Sequence, residues 1–186
     1  MIGNDIIDLN LALTSEKSRN LRFLRKVFTD DEISMIQKSE KPEILLWQFW
    51  SMKESAYKAH QRIYSLGRKL NPTSYNCTLE PDSNLGKVRI AKETYIITTE
   101  ITSKYIHSYT QSADFSEKII CTKTNCDSDL LGCISSVLSL KKGSVSIQKD
   151  SNGVPSLCIN KLRKHFPFSK SHHGAFTAFF IPLIMS

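Results

Sequence analysis

Trp50-Ser51-Met52-Lys53-Glu54-Ser55-Ala56-Tyr57-Lys58 is the stretch that decides how the chain reads. Glu54 lies one helical turn past Trp50 and one turn before Lys58, so a carboxylate, an ammonium and aromatic bulk share one face. The flanking residues Ile44, Leu45, Trp47, Phe49 and Met52 make residues 42–64 too apolar for a surface helix. Pro42 suits a first turn. The segment is therefore expected to be a long, substantially buried helix. On an exposed helix a Glu54–Lys58 pair is an ordinary ion pair worth about 0.3–0.5 kcal/mol. On a buried helix such a pair needs further partners.

Upstream, residues 2–9 (Ile-Gly-Asn-Asp-Ile-Ile-Asp-Leu) read as a short strand, with Gly3 allowing close approach to the backbone. Asp5 is unfavourable inside such a strand unless it is paired or binds a cation, and the residue by itself fits either role. Residues 15–28 read as one basic amphipathic helix with Ser15 as N-cap. Leu21, Phe23, Leu24, Val27 and Phe28 face one way, while Arg19, Arg22, Arg25 and their lysine neighbours face the other. Thr29-Asp30-Asp31-Glu32 fits a capping box that opens a helix to about Gln37.

Downstream, Val88–Ile90, Tyr95–Thr99 and Tyr105–Thr110 read as an antiparallel meander within a β-rich segment at about 71–121 that carries no chemical motif. A helix is expected from Asp129 to Leu140. A hairpin is expected around Asp150-Ser151-Asn152-Gly153, with Val145–Gln148 and Ser156–Ile159 as its arms. Lys170 to Ile181 reads as one apolar strand, preceded by Ser169 and carrying Ser171, His172 and His173. These histidines are either neutral and hydrogen-bonded or phosphate contacts. No internal repeat is visible.

The chain has 186 residues, 40% hydrophobic and 23% charged, which describes a folded protein and excludes a disordered one. No apolar run approaches the ~20 residues that span a bilayer. The start, with carboxylates where a secretory signal needs Lys or Arg, is not expected to be a signal peptide. The apolar stretch Phe176–Met185 is short, is interrupted by Pro182, and reads as a final core strand. Five cysteines, Cys121, Cys126 and Cys133 among them, without a CxxC pair point to a reducing compartment, the cytoplasm, and not to structural zinc. The formal net charge is +7. Residues 1–70 hold 12 basic and 9 acidic side chains, residues 71–140 hold 6 and 8, and residues 141–186 hold 7 and 1. Basic ends suit an anionic partner: nucleic acid, membrane, polyphosphate or an acidic protein.

Four blocks, in order, resemble the 4′-phosphopantetheinyl transferase superfamily, in particular its holo-acyl-carrier-protein synthase-like members. Ile2-Gly3-Asn4-Asp5-Ile6 is similar to the family's Gly-x-Asp-Ile, and Phe28-Thr29-Asp30-Asp31-Glu32 to Phe-(Ser/Thr)-x-x-Glu. Residues 50–58 resemble Trp-(Ser/Thr)-x-Lys-Glu-(Ala/Ser)-x-x-Lys. Asn152-Gly153-Val154-Pro155 with Ser169-Lys170-Ser171-His172 resembles Gly-x-Pro followed by Ser-x-Ser-His.

The resemblance implies an α+β fold, an antiparallel sheet packed against a long buried helix, with residues 1–186 as one domain. It implies Mg²⁺-dependent transfer of 4′-phosphopantetheine from coenzyme A to a carrier serine, releasing 3′,5′-ADP, in fatty acid, polyketide or related biosynthesis. Asp5 and Glu54 would hold the metal, Glu54 and Lys58 would be catalytic, and Lys53, Lys58, Ser171 and His172 would bind coenzyme A. Either Glu54 or a metal-bound water would take the serine proton. Arg19, Arg22 and Arg25 would dock an acidic acyl or peptidyl carrier. The chain holds one copy of the motif set, as in the family's short type, which forms its sites between subunits, whereas the longer type encloses the site between two similar halves of one chain. At 186 residues this chain sits between them, and a homo-oligomer is expected.

Two departures stand out. Many members carry a second acidic residue two positions after the Asp, where this chain has Ile7; Asp8 faces the other side of a strand. The short type has an Arg where Phe49 stands, which leaves Arg62, Arg68 or Lys69 to serve the nucleotide phosphates. The alternatives are a catalytically impaired member that binds coenzyme A or acts as a scaffold subunit, and a basic nucleic-acid-binding module. The latter needs aromatics interleaved with cations on a surface, whereas the aromatics here follow core patterns.

Overall fold

The computed structural model describes residues 2–110, 116–122, 130–141, 143–160 and 164–182. Cys126, Asp129 and Met185, which figure in the sequence expectations, lie outside the described residues. β1 (Asn4–Asp8) is buried along its whole length. It ends where the Asp8 carboxylate caps α1 (Leu9–Ala12) by accepting from the Asn10 N–H.

The expected helix over 15–28 is broken. Short 3₁₀ turns occupy Leu13–Ser15 and Lys17–Arg19, and Glu16 between them has a φ of 45°, a left-handed conformation that interrupts a helix. Ser15 does not cap; its hydroxyl donates to the Ala12 carbonyl. The Glu43 carboxylate instead accepts the N–H groups of Lys17 and Ser18. The regular helix there is α2 (Leu21–Val27), capped by Asn20. α3 (Asp30–Lys38) opens with the expected capping box of Thr29 and Glu32. α4 (Pro42–Tyr64) is the long buried helix, 23 residues.

The meander follows as β2 (Asn76–Leu79), β3 (Leu85–Ile90), β4 (Glu93–Ile101) and β5 (Tyr105–Thr110). β5 then pairs antiparallel with β1, which gives a sheet ordered β1-β5-β4-β3-β2. The motif-poor meander thus holds the strand that carries Asp5, and it shares a core with the helices: Leu24, Ile36, Phe49 and Met52 pack with Val88 and Ile97.

The second half comprises β6 (Ser116–Thr122), α5 (Leu130–Val137), β7 (Val145–Lys149), β8 (Pro155–Ile159), β9 (Lys164–Pro167), β10 (Ser169–His173) and β11 (Phe176–Pro182). The strand expected over Lys170–Ile181 is a hairpin, β10 and β11, because the chain reverses at Gly174 (φ 53°). β7-β8-β9 and β10-β11-β6 form two small sheets. Phe168 alone separates β9 from β10. Read across that break, the order is β7-β8-β9/β10-β11-β6, the topology of the first half: a strand, helix, and a meander whose last strand returns beside the first. The halves meet where Ile6 packs with Phe176 and Ala178. No helix of the described residues is long and apolar enough to cross a membrane.

Gly3 sets the approach of β1 to α4. A Cβ there would overlap the Ser55 carbonyl and stand 2.7 Å from the Ala59 nitrogen. Both obstacles are helix backbone, which cannot swing aside. Overpacking of this kind costs about 1–3 kcal/mol or more, so Gly3→Ala is expected to lower the urea midpoint by at least the equivalent of about 2 kcal/mol. An unchanged midpoint would show that the strand can retreat from the helix.

Candidate active site

β1 and α4 run close enough for side chains four residues apart on the helix to meet the strand. Lys58 Nζ donates to Asp5 Oδ1 and to the Asn4 carbonyl, each at 2.9 Å. Asp5 is 8% exposed, and its Oδ2 is buried without a hydrogen-bond partner among the described residues. Glu54, half-buried one turn earlier, is pushed up to about 7 by burial and by the Asp5 charge, with Lys58 opposing. The Asp5 pKa is also raised, chiefly by burial, against the pull of Lys58 and His173. Two carboxylates therefore share one ammonium in a partly dry site, and each resists the other's ionisation.

That arrangement fits a hard divalent cation. An unpartnered buried carboxylate oxygen and a second carboxylate beside it are the donors Mg²⁺ prefers, with water completing its shell. Among the described residues no group of three or more His, Cys, Asp or Glu side chains converges on a metal position, so Asp5 and Glu54 would be the protein donors. Ile7 is packed in an apolar cluster with Leu9 and Ile106. Asp8 is spent on the cap of α1 and on the Ala175 N–H at 2.8 Å.

Lys58 also borders a cavity of about 530 Å³. Its basic residues are Lys58, Arg62, Arg68, Lys149, Lys170 and His172, and among the described residues no carboxylate lines it. The first three come from α4 and the loop after it, the last three from the second half. The cavity therefore has walls from both halves of one chain. The β7–β8 turn closes one side: Asp150 Oδ1 accepts the N–H groups of Asn152 and Val154, and Gly153 (φ 73°) lies against the Arg68 guanidinium, with 2.5 Å between its missing Cβ and Arg68 Nε. Only a residue without a side chain permits that stacking.

His172 projects from β10 into the cavity. Ser171 does not: it is 5% exposed, is absent from the cavity wall, and its Oγ accepts from Asn4 Nδ2 at 3.1 Å. Alternation along β10 turns Ser169 and Ser171 towards β1, and Lys170 and His172 outward. Ser169, whose Oγ takes the Asn4 N–H at 3.0 Å, reaches the cavity edge. Asn4 is the residue the sequence reading passed over. A fully buried amide in an apolar strand carries the same signal as Asp5, a polar group that must be paid for by partners.

Lys53 also lies away from the cavity. It is 0% exposed and its Nζ is enclosed by Glu32 Oε2 (2.7 Å), the Pro72 carbonyl (2.9 Å) and the Val27 carbonyl (3.2 Å). Glu32 Oε1 accepts the Cys77 N–H at 2.8 Å. Neighbours on a helix point about 100° apart, so Lys53 faces the core of the first half while Glu54 faces β1. Arg22 and Arg25 are exposed on α2, and Arg19, just before it, is exposed beside Glu16 at 3.5 Å. Phe49 is buried in the core.

The family model of the 4′-phosphopantetheinyl transferase superfamily matches residues 1–116, the part that holds β1, α4 and the meander. No curated protein matches the chain.

Removing Lys53 leaves the Glu32 charge buried and unpaired, so Lys53→Ala is expected to cost about 3–5 kcal/mol in urea denaturation. The double variant Lys53→Met/Glu32→Gln should recover much of that loss. A raised folded pKa makes a carboxylate's contribution to stability fully present below its unfolded value, 4.5 for Glu54, and lost as pH rises through about 7. In chelator, wild type is therefore expected to lose stability relative to Glu54→Gln between about pH 5 and pH 8. Parallel stability curves would refute the shift.

Proposed function

We propose, because this chain belongs to the 4′-phosphopantetheinyl transferase superfamily, that it transfers the 4′-phosphopantetheine group of coenzyme A to a serine of an acidic acyl or peptidyl carrier protein in the cytoplasm. The observation that carries the reading is the Asp5 Oδ2, unpartnered among the described residues, beside Glu54, near a basic cavity that no described carboxylate lines. The cavity suits the phosphates of a nucleotide. The acidic pair suits the cation that accompanies a diphosphate.

In the proposed reaction the carrier serine oxygen attacks the phosphorus that bears the pantetheine arm. The bond from that phosphorus to the bridging oxygen breaks, the serine proton is lost, and 3′,5′-ADP leaves. A Mg²⁺ held by Asp5 and Glu54 would supply neutralisation of the diphosphate charge. Lys58, already oriented by Asp5 and the Asn4 carbonyl, places a positive charge where the leaving oxygen gains negative charge. Burial and the Asp5 charge raise Glu54 to about 7 without a cation; a bound cation would favour its ionised form, in which it can accept the serine proton. Arg68, Lys149 and Lys170 give the nucleotide phosphates their counter-charges and His172 a hydrogen-bonding ring, the service expected of Lys53 and Ser171 from the motifs. Arg19, Arg22 and Arg25 are exposed and would steer an acidic carrier, raising the association rate more than the final affinity.

Because both halves build the cavity, we read residues 1–186 as one functional unit whose site is complete without a second copy. A member that binds coenzyme A without turnover stays a distinct outcome, since Ile7 and Phe49 depart from the family pattern.

Mass spectrometry of a panel of apo carriers, incubated with the protein, coenzyme A and Mg²⁺, is expected to show the phosphopantetheine mass increment on at least one. Glu54→Ala should lower the rate by at least about 10³-fold with the fold retained by circular dichroism. Undiminished modification by Glu54→Ala would remove Glu54 from the mechanism. Coenzyme A binding with no carrier modified would favour the inactive member.

A further inference from the structure

Arg62, one turn beyond Lys58 on α4, lies in the cavity wall and commits one N–H of each Nη to backbone of the second half. Its Nη1 donates to the Pro155 carbonyl at 3.0 Å and its Nη2 to the Phe168 carbonyl at 2.6 Å. Pro155 opens β8 directly after the Gly153 turn. Phe168 is the break between β9 and β10, immediately before Ser169. A single guanidinium from the first half thus spans two elements of the second. Two weaker contacts extend the seam: Arg68 Nη2 to the Gly153 carbonyl and Asn152 Nδ2 to the Ser65 carbonyl, each at 2.9 Å.

The chemistry of this contact is unusual. Both acceptors are neutral carbonyls, and Arg62 makes no ion pair among the described residues. Its Nε is buried and unpartnered. Burial lowers its pKa, with Asp150 opposing from a distance. A cation held this way is costly to desolvate. What the guanidinium supplies that a lysine cannot is a rigid planar fork that satisfies two acceptors at once.

We infer that Arg62 is a positioning residue: it fixes the Gly153–Pro155 turn and the Ser169–His172 strand against α4, and so sets the spacing of Lys170 and His172 from Lys58 across the cavity. Each Nη gives one N–H to the Pro155 or Phe168 carbonyl and its Nε is enclosed, so the guanidinium is anchored to the second half and acts by holding that wall in place. Asp5, Glu54 and Lys58 sit together in the first half and do not need it. Arg62 therefore governs capture of the nucleotide and leaves the chemical step alone. The ligand in this inference rests on the proposed coenzyme A reading; the strut geometry does not.

The test compares Arg62→Met, which keeps the length, with Arg62→Lys, which keeps the charge without the fork. Both are expected to raise the KM for coenzyme A and the Kd for 3′,5′-ADP by about tenfold or more, with kcat within about threefold of wild type. Both are expected to speed backbone hydrogen exchange over residues 152–156 and 168–172, with exchange over β1 unchanged. Restoration of wild-type affinity by Arg62→Lys would overturn the inference, since the charge alone would then suffice. So would a fall in kcat matching the rise in KM, or unchanged exchange over those segments. If Arg62→Met fails to fold, Arg62→Gln, which can fill one acceptor, takes its place. If wild type modifies no carrier, the proposed function falls, while 3′,5′-ADP titration and hydrogen exchange still decide the role of Arg62.

Discussion

The site depends on a close approach made by a residue with no side chain. At Gly3 the backbone of β1 meets the backbone of α4 with no room for a Cβ between them. At that separation Asp5, two residues on, comes within reach of Lys58, and the Asn4 carbonyl lies under the same ammonium. A retreat of the strand by the width of a methyl group would break both bonds and leave the Asp5 carboxylate buried without a counter-ion. The meander, which carries no motif of its own, matters because β5 holds β1 in this position through a full antiparallel register and through the Gly3–Thr110 bond.

Lys53 and Glu54 show how a helix sorts adjacent charges by direction. Lys53 points into the first core and closes on Glu32 in a fully dry ion pair that also binds the Cys77 backbone. That pair ties α3, α4 and β2 together and leaves no free donor for a ligand. Glu54 points towards β1, where a second carboxylate raises its pKa and a lysine only partly compensates. The first arrangement is saturated and structural. The second is left short of positive charge, and such deficits collect at sites built for a cation or a proton.

The second half repeats the topology of the first and lends the cavity its far wall. Its own contribution is mostly backbone and basic side chains: the Gly153 turn, the carbonyls of Pro155 and Phe168, Lys170 and His172. The acidic pair lies in one half and much of the basic wall of the cavity in the other. Polar bonds therefore cross the seam at several points, from Asn4 to Ser169 and Ser171, from Asp8 to His173, and from Arg62 and Arg68 to the β7–β8 region.

Much of this was legible in the chain itself. Apolar density and Pro42 specify α4, the Thr29–Glu32 spacing specifies the start of α3, and β-branched runs specify the meander, because each depends on residues within a turn or a strand of one another. Asp5, Glu54 and Lys58 stand out in the sequence as charged groups in apolar segments, and the fold sets Lys58 on Asp5. What tertiary structure decided was direction and company. It broke the helix at Glu16, because Glu43, distant in sequence, draws the N–H groups of Lys17 and Ser18. It turned Ser171 inward and enclosed Lys53, because strand alternation and helical pitch fix an orientation only once the partner surface is known. The duplicated topology left no trace in the amino acids: a fold repeats through the pairing of strands, and hydrogen bonds between backbones do not require the side chains to match.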